Sequence, residues 1–260
     1  MSLRGYLLNA MLFTSVAFGA FSGVNTFKAK ADVQEPSARL RAPMPAAAAL
    51  PWFGSQSASE PNRWLESFSE TDELPVAIFA PVQFKNADNL GVGKLLVASR
   101  SLRDPSFAQT VVLLVHYDES GVVGLILNRR THIPLSRVLD LKAAKDRSDP
   151  AYLGGPVGLS NVFGLFQSAD KMADAEKIFA SIYLISDKKL FEQTLSAGPD
   201  SDVFHVYLGY AGWTRDQLQA EVHSGAWFVY PADASAVFNS NPDSLWLKMI
   251  RKSELKWAKI

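Results

Sequence analysis

Asn128-Arg129-Arg130-Thr131 is a stretch that could bind an anion, because it combines hydrogen-bonding side chains with two positive charges directly after an apolar run. Polar residues at the end of a core strand often line a ligand crevice, and the planar arginine fork matches a carboxylate or phosphate group. The alternative is that Asn128 caps a turn and that the arginines are solvated. We name Asn128, Arg129 and Thr131 as candidate ligand-binding residues.

Gly154-Gly155-Pro156 is a second candidate site, since backbone N–H groups in glycine-rich segments can hold an anion. The Lys-Ser/Thr ending of a P-loop is missing here, and the chain has no G-x-G-x-x-G motif. A tight turn at a sheet edge explains the same residues without a ligand, and we favour that interpretation. Gly154 and Gly155 are therefore kept as candidates beside this structural alternative.

Tyr210 and Trp213 could form the aromatic wall of a binding crevice. Gln217 and Glu221 would then lie one turn apart on the helix that follows. Trp213 also precedes a T-x-x-Q capping box and can pack on Leu218 as a hydrophobic staple, so a structural role explains it without a ligand. The candidate residues for the crevice are Tyr210, Trp213, Gln217 and Glu221.

The sequence lacks the spacings of common catalytic and metal centres. The sequence has no cysteine and no G-x-S-x-G motif around any serine. It also has no pair of carboxylates in a common catalytic motif. Neither H-x-x-x-H nor H-E-x-x-H occurs, so we predict no metal site and no cofactor. These patterns favour a non-catalytic protein. The four histidines are His116, His132, His205 and His223.

The composition is that of an ordinary globular protein, with 48% hydrophobic and 20% charged residues in a chain of 260. This length corresponds to one or at most two domains. Twenty-six basic residues balance 26 acidic ones. Because there is neither a basic stripe nor a helix-turn-helix pattern, we do not expect direct nucleic-acid binding.

The stretch from Gly5 to Phe27 contains no charged residue and is rich in leucine and phenylalanine. A membrane-spanning helix needs about 20 mainly apolar residues, and a signal-peptide core needs about 7–15, so both descriptions fit. Ala29-Lys30-Ala31 has the small-x-small form of a cleavage site, which favours export. An incorrectly assigned start codon is a further alternative.

Positive charges after this stretch favour an anchor, because the positive-inside rule would keep the following chain in the cytosol. We therefore favour a membrane anchor at residues 5–27 with a cytosolic domain, and keep export after cleavage at Ala31 as the alternative. These positive residues are Lys28, Lys30, Arg39 and Arg41.

Three segments follow from the composition. Residues 1–31 form the hydrophobic leader, residues 32–72 form a flexible tether rich in Ala, Pro and Ser, and residues 73–260 form the folded domain. A short amphipathic helix near 64–74 and an edge strand near 76–82 are further predictions at this boundary.

The folded domain must position the candidate residues on a sheet. Lys94 to Ala98, Thr110 to His116 and Val122 to Asn128 are apolar runs without polar alternation, which predicts strands covered on both faces. The second and third are joined by a hairpin loop. Further predicted strands are Ile178 to Ile185, Val203 to Leu208 and Ala226 to Tyr230.

Helices are predicted at Pro134 to Leu141, at Asp187 to Leu195 and after Thr214. Thr214 is the N-cap of the last of these, and Gly225 closes it in the left-handed position. Hairpins with interspersed helices imply a mixed sheet, so we predict an α+β fold.

Several motifs together resemble the YqgE/AlgH family over about 160 residues. They are Gly93-Lys94-Leu95-Leu96-Val97-Ala98, Leu102-x-Asp104-Pro105-x-Phe107, Val111 to Leu114, Gly124-Leu125-Ile126-Leu127-Asn128-Arg129, Gly154-Gly155-Pro156-Val157, Leu208-Gly209-Tyr210-Ala211-Gly212-Trp213, Gln217-Leu218, Glu221, Trp227 to Phe238 and Trp246. The resemblance implies a mixed fold with a partly barrel-like sheet and helices packed on it. Members of that family are often described as transcriptional regulators.

The chain departs from the family pattern at three places. Arg130 and Arg100 each stand where the family usually has proline, and Leu165-Phe166-Gln167 replaces a common Leu-His pair. Any role that needs the family side chain at Arg100 or at Phe166 is therefore not carried over to this chain.

Two functions from different classes fit the sequence. The first is a non-catalytic regulatory or interaction domain with a crevice for a small ligand or peptide. The second is an enzyme acting on a small anionic metabolite, with Arg129 holding the anion and Tyr210 or Glu221 transferring a proton. The sequence identifies neither the natural ligand nor a protein partner.

Overall fold

The computed structural model describes residues 27–30, 89–170, 172, 174–199, 203–239 and 241–257. The predicted leader up to residue 26, the tether, and the helix and strand predicted near 64–74 and 76–82 lie outside these ranges. Within them, no helix is both long enough and apolar enough to cross a membrane.

Ten strands and four helices of at least one turn make up the part of the chain that the structure describes. In chain order they are β1 (Lys94–Ala98), β2 (Val111–Asp118), β3 (Gly121–Ile126), β4 (Arg130–Pro134), α1 (Leu135–Val138), β5 (Pro150–Leu153), β6 (Val157–Gln167), β7 (Glu176–Phe179), β8 (Ile182–Ile185), α2 (Lys188–Ser196), β9 (Phe204–Trp213), α3 (Arg215–His223), β10 (Trp227–Pro231) and α4 (Pro242–Trp257). A π-helical turn, Ser235–Asn239, precedes α4.

The strands form one curled sheet in the order β10-β1-β2-β3-β9-β6-β8-β7. Neighbouring strands on this path are antiparallel, whereas β5 pairs with β9 in parallel and with β4 in antiparallel orientation. The long strand β9 is shared: its last residues pair with β3, and its first residues pair with β6 on one side and β5 on the other. This sheet confirms the predicted α+β class and its partly barrel-like form.

Two apolar cores hold the sheet. Consecutive residues of β1 to β3 are buried in the larger core, so both faces of these strands are covered, as their uninterrupted apolar runs predicted. The helices α3 and α4 contact the sheet at this core, which also contains Trp213 and Trp227. At the second core α1 contacts β4 and β5, and α2 contributes Phe191.

Several sequence predictions hold at the level of single elements. The strands β1, β2, β3 and β10 lie where the apolar runs placed them, and β2 and β3 form the predicted hairpin. The helix predicted at Asp187 to Leu195 is α2, and the structure adds that Asp187 caps it by accepting from the N–H groups of Lys189 and Leu190. Thr214 caps α3 by accepting from the Gln217 N–H at 3.1 Å, and Gly225 has the predicted left-handed conformation, with φ of 79°.

Other predictions are wrong for identifiable reasons. Ile178 to Ile185 is a hairpin of β7 and β8, which turns at Ala180 with φ of 41°, and an alanine gives no turn signal. The helix predicted from Pro134 is limited to α1, because Leu139 returns to an extended conformation. The strand predicted at Val203 to Leu208 continues to Trp213, passing Gly209 in a left-handed conformation instead of ending in a turn.

Gly154 and Gly155 do not form a turn at the sheet edge. The Gly154 N–H donates to the Leu208 carbonyl at 2.8 Å, and its own carbonyl accepts from the Ile126 N–H at 2.8 Å. A Cβ on Gly155 would lie 2.1 Å from the Tyr210 carbonyl carbon and 2.3 Å from the Ala211 nitrogen. These glycines therefore bring two backbones into contact inside the sheet.

We predict that Gly155→Ala destabilises the protein by about 3 kcal/mol or more, because the added methyl group meets backbone that no side-chain rotation can move. Chemical denaturation followed by tryptophan fluorescence measures this loss. Gly91→Ala is the matched control: nothing lies within 4 Å of a Cβ built there. It should change the free energy of unfolding by about 0.5 kcal/mol at most, and equal losses in both variants would contradict the close-approach argument.

Candidate functional site

Most candidate residues surround one loop, residues 104–110 between β1 and β2, called here the Asp104 loop. The loop is held by its own hydrogen bonds: Asp104 Oδ1 accepts from the Ser106 N–H at 2.8 Å, and the Thr110 hydroxyl donates to the Phe107 carbonyl at 2.7 Å. Gln109 has a left-handed φ of 59°. A loop of this shape leaves backbone carbonyls that need donors from other elements.

Asn128 and Arg129 supply those donors. Asn128 accepts from the Val111 N–H at 2.9 Å and donates to the Gln109 carbonyl at 2.9 Å. Arg129 Nη2 donates to the Pro105 carbonyl at 2.9 Å, and burial lowers the pKa of its guanidinium. Neither sequence alternative for Arg129 describes it fully, because the guanidinium is neither fully solvated nor directed at an open crevice.

Phe107 joins the loop to an aromatic cluster, the second group of candidate residues. Its ring lies 5.5 Å from that of Trp213 and 5.7 Å from that of Trp227, and the two indoles meet edge to face at 6.1 Å. Trp213 and Trp227 are each 1% exposed. The predicted aromatic wall at Trp213 is therefore core packing.

Glu221 is the buried polar centre of this cluster. Its carboxylate accepts from Trp213 Nε1 at 3.1 Å, from Trp227 Nε1 at 2.8 Å and from Gln217 Nε2 at 3.0 Å. Burial raises the pKa of Glu221 and outweighs these three hydrogen bonds, which lower it. The structure thus brings Trp213, Gln217 and Glu221 together, but every carboxylate contact here is made to the protein itself.

The remaining candidates lie elsewhere. Tyr210 is 9% exposed, packs edge-on against Phe163, and has its pKa raised by burial. The Thr131 hydroxyl donates to the Ala151 carbonyl at 2.7 Å and accepts from the Ile133 N–H, so it links β4 to β5. Together with the two glycines, these residues support the sheet and do not join the Glu221 cluster.

An open cleft of about 360 Å³ lies between β4, β5, β9 and the beginning of α4, and residues of both cores line it. None of the nine sequence candidates lines it. The sequence did not predict this cleft; its one signal there is Arg130, which stands where the family usually has proline. The lining includes Arg130, Asp149, Tyr152, His205, Phe238 and Pro242.

Aromatic rings form one wall of this cleft. The Tyr152 ring stacks on His205 with a centroid distance of 4.7 Å and an interplanar angle of 28°, and the Phe238 ring lies 5.0 Å from His205. The Tyr207 hydroxyl lies 3.5 Å from His205 Nδ1. Tyr152 and Phe238 are each 6% exposed, so these rings form a rigid wall that is mostly covered by its own packing.

The cleft lining contains one positive and one negative side chain, Arg130 and Asp149. Arg130 and Tyr152 are directly opposed on β4 and β5, and burial raises the pKa of the Tyr152 hydroxyl although the Arg130 charge opposes this. Asp149 is already ion-paired with Arg147. At neutral pH the cleft therefore presents a guanidinium and a protonated phenol side by side. Within the described ranges, no three His, Asp or Glu side chains are grouped so as to hold a metal ion.

We predict that Glu221→Gln destabilises the protein by about 1–3 kcal/mol, because an amide nitrogen would face indole and amide donors that need an acceptor. Denaturation at several pH values tests the charge as well. Folding raises the pKa of Glu221, so the folded state binds its proton more readily than the unfolded state. The free energy of unfolding of the wild type, relative to Glu221→Gln, should therefore rise as pH falls through the raised pKa towards the ordinary glutamate value.

Asp216→Asn is the control on the same helix, since Asp216 is exposed in the first turn. It should cost only about 0.3–1 kcal/mol through the helix dipole. A pH-independent difference between the wild type and Glu221→Gln would show that the carboxylate is not held in the way described.

Comparison with known proteins places this geometry in a family. The AlgH-like family model, DUF179, matches residues 95–258. A UPF0301 protein of Chlorobaculum tepidum is 30% identical over 160 residues, which is 61% of this chain and 84% of that protein. A UPF0301 protein of Azoarcus sp. is 31% identical over 170 residues, or 64% of this chain and 90% of its own. The names of these relatives describe no activity.

Two solved structures are similar. The solution structure of the AlgH protein from Pseudomonas aeruginosa has a TM-score of 0.50 and 28% identity, and the match covers 60% of this chain and 85% of that one. A crystal structure of a protein from Corynebacterium diphtheriae has a TM-score of 0.53 at 23% identity, covering 63% and 87%, and shows likeness of fold alone. Since the family model spans the Asp104 loop, the Glu221 cluster and the cleft, the chain belongs to the AlgH-like family.

Proposed function

We propose that the domain is a non-catalytic binding module whose cleft holds a small anionic ligand. The observation that carries the proposal is that Arg130 on β4 lies opposite Tyr152 on β5, and that both residues line the cleft. No described acidic residue forms an ion pair with Arg130. A carboxylate or phosphate group would receive charge-assisted hydrogen bonds from the guanidinium and a further one from the phenol.

The ligand that suits this cleft is small and carries an anionic group. The cleft volume of about 360 Å³ is that of a metabolite-sized site, and the stacked rings of Tyr152 and His205 lie in its lining. Asp149 does not repel the anion strongly, because the Arg147 guanidinium holds it. A small carboxylated or phosphorylated compound is therefore the class we expect.

The alternative is an enzyme acting on a small anionic metabolite. A binding role is better supported, because the motif residues Arg129 and Glu221 make hydrogen bonds within the protein. The Arg129 guanidinium donates to the Asp104 loop, and the Glu221 carboxylate accepts three hydrogen bonds inside the core. A group saturated by fixed internal donors is poorly placed to exchange protons with a substrate. A ligand-dependent regulatory role, acting through a protein partner and without direct nucleic-acid contact, is the function we infer.

The test is a thermal-shift screen of the full chain against carboxylated and phosphorylated metabolites. A compound present at about 100 times its dissociation constant should stabilise the fold by about 2.7 kcal/mol. Arg130→Ala should weaken its binding by about tenfold or more, since a charge-assisted hydrogen bond is lost. Tyr152→Phe should weaken it less.

Arg103→Ala is the matched control, because Arg103 is exposed and lies outside the cleft lining. It should leave the binding unchanged. If Arg130→Ala also left it unchanged, the cleft would not be the site. Mass spectrometry of the bound compound separates the two functions, because conversion of the compound would establish the enzyme instead of the binding module.

We also propose that the uncharged stretch beginning at Gly5 anchors the chain at a membrane, with the domain in the cytosol. The proposal is supported by the positive residues that follow the stretch, namely Lys28, Lys30, Arg39 and Arg41. Phe27, at the end of the stretch, is buried in the domain, so a spanning segment would have to end before it. Export after cleavage at Ala31 is the alternative.

A reporter at the C-terminus tests this topology in bacterial cells. We expect a fused green fluorescent protein to be fluorescent in the membrane fraction, and a fused alkaline phosphatase to be inactive. Introducing Asp at Leu12 and Phe13 should move the protein out of that fraction, because charged residues are costly inside the bilayer. An active phosphatase fused to a mature protein that begins at Asp32 would instead establish export.

A further inference from the structure

Phe27–Lys30, called here the strap, lies against β6 in antiparallel orientation, with Lys28 opposite Asn161. Four backbone hydrogen bonds hold these four residues. The Phe27 and Ala29 N–H groups donate to the carbonyls of Ser186 and Ser160, both at 2.8 Å. The Lys30 N–H donates to the Val138 carbonyl at 2.9 Å, and the Phe27 carbonyl accepts from the Val162 N–H at 2.9 Å.

The strap occupies a vacant place in the sheet. On this side of β6, the strand β8 pairs only from Gly164 to Gln167. Beyond that point, no strand among the described residues of the matched family domain pairs with this edge of β6 at residues 160–162. The strap lies there, in line with the end of β8 at Ser186, and adds the missing strand segment.

Side-chain contacts hold the strap in addition to its backbone hydrogen bonds. Phe27 is 7% exposed, and its ring lies 5.5 Å from that of the fully buried Phe191. Lys188 Nζ lies 5.8 Å from the Phe27 ring centroid, on the outer side. Lys28 Nζ donates to Asn161 Oδ1, and Lys30 Nζ donates to the Ser136 carbonyl at 3.2 Å.

Removing the strap would leave a groove that needs an occupant. The N–H of Val162, a fully buried residue, would lose its partner, and so would three carbonyls, while the pocket of Phe27 would open onto Phe191. Unpaired backbone at a strand edge and an open aromatic pocket are the features that recruit an extended peptide by strand addition. The main chain provides affinity in this mode, and the pocket provides selectivity.

The groove and its occupant come from different parts of the chain. Residues 95–258 match the family model, and all the groove residues named above lie within that range, whereas the strap lies far upstream of it. The family domain therefore builds the groove, and an extension that the model does not match fills it. A ligand supplied from outside a domain in this way can be exchanged for another of the same chemistry.

We infer that the groove along β6 is a binding site for an extended peptide with an aromatic residue followed by lysines, and that its resident ligand is the chain's own strap. The site is separate from the anion cleft and does not depend on the function proposed for it. Release of the strap opens the groove to the same kind of segment from another molecule.

The test uses a fluorescein-labelled peptide of residues Val24 to Ala31 and the full chain. Phe27→Ala empties the aromatic pocket, and Ala29→Pro removes the N–H that donates to the Ser160 carbonyl while leaving the Phe27 side chain unchanged. The wild type should bind the peptide weakly, because its own strap competes at an effective concentration of about millimolar. Both variants should bind it about tenfold tighter or more, as measured by fluorescence anisotropy on protein checked for folding by circular dichroism.

A peptide carrying Phe27→Ala is the control and should not bind. Absence of saturable binding to both folded variants would overturn the inference, as would equal binding of the two peptides. A third arm needs no substitution in the strap: a protease site is inserted at Ala46–Ala49, and the folded wild type is cut there. The N-terminal fragment should stay bound and be displaced by excess unlabelled peptide. Immediate loss of the fragment, or failure of the excess peptide to displace it, would also overturn the inference.

Discussion

Two buried indole N–H groups that share one carboxylate are the constraint on which the larger core depends. Trp213 ends β9 and Trp227 begins β10, so their N–H groups enter the same region from two strands that are not neighbours in the sheet. Each needs an acceptor once it leaves water, and Glu221 on the helix between the strands provides it. The position of α3 is therefore tied to both strands at once, and Gln217 fills the remaining acceptor position.

This constraint explains how the family motifs act together. Phe107 of the Asp104 loop packs against both indoles. Asn128 and Arg129 donate hydrogen bonds to backbone carbonyls of the same loop. Asn128 and Arg129, which the sequence analysis named as candidate anion ligands, instead hold the Asp104 loop against this core. In this chain these motif residues hold the fold together, and the open cleft is lined by other residues.

The second core connects the anion cleft and the strap. Phe27 of the strap contacts Phe191, and Phe191 contacts Phe204, which lines the cleft. A row of three aromatic rings therefore runs from the groove on β6 to the lining of the cleft.

The sequence by itself determined the elements whose signals are local. The apolar runs of β1 to β3, the Thr214 cap and the left-handed Gly225 depend on neighbouring residues, and each was predicted correctly. The α+β class followed from the order of these elements, and the family resemblance followed from the motifs between Gly93 and Trp246. Tertiary structure alone decided how distant segments meet. The contact of Gly155 with β9, the shared carboxylate of Glu221, the opposition of Arg130 and Tyr152, and the strap on β6 each join residues far apart in the chain. No periodicity or cap records such a contact, because its energy comes from groups that the sequence does not place side by side.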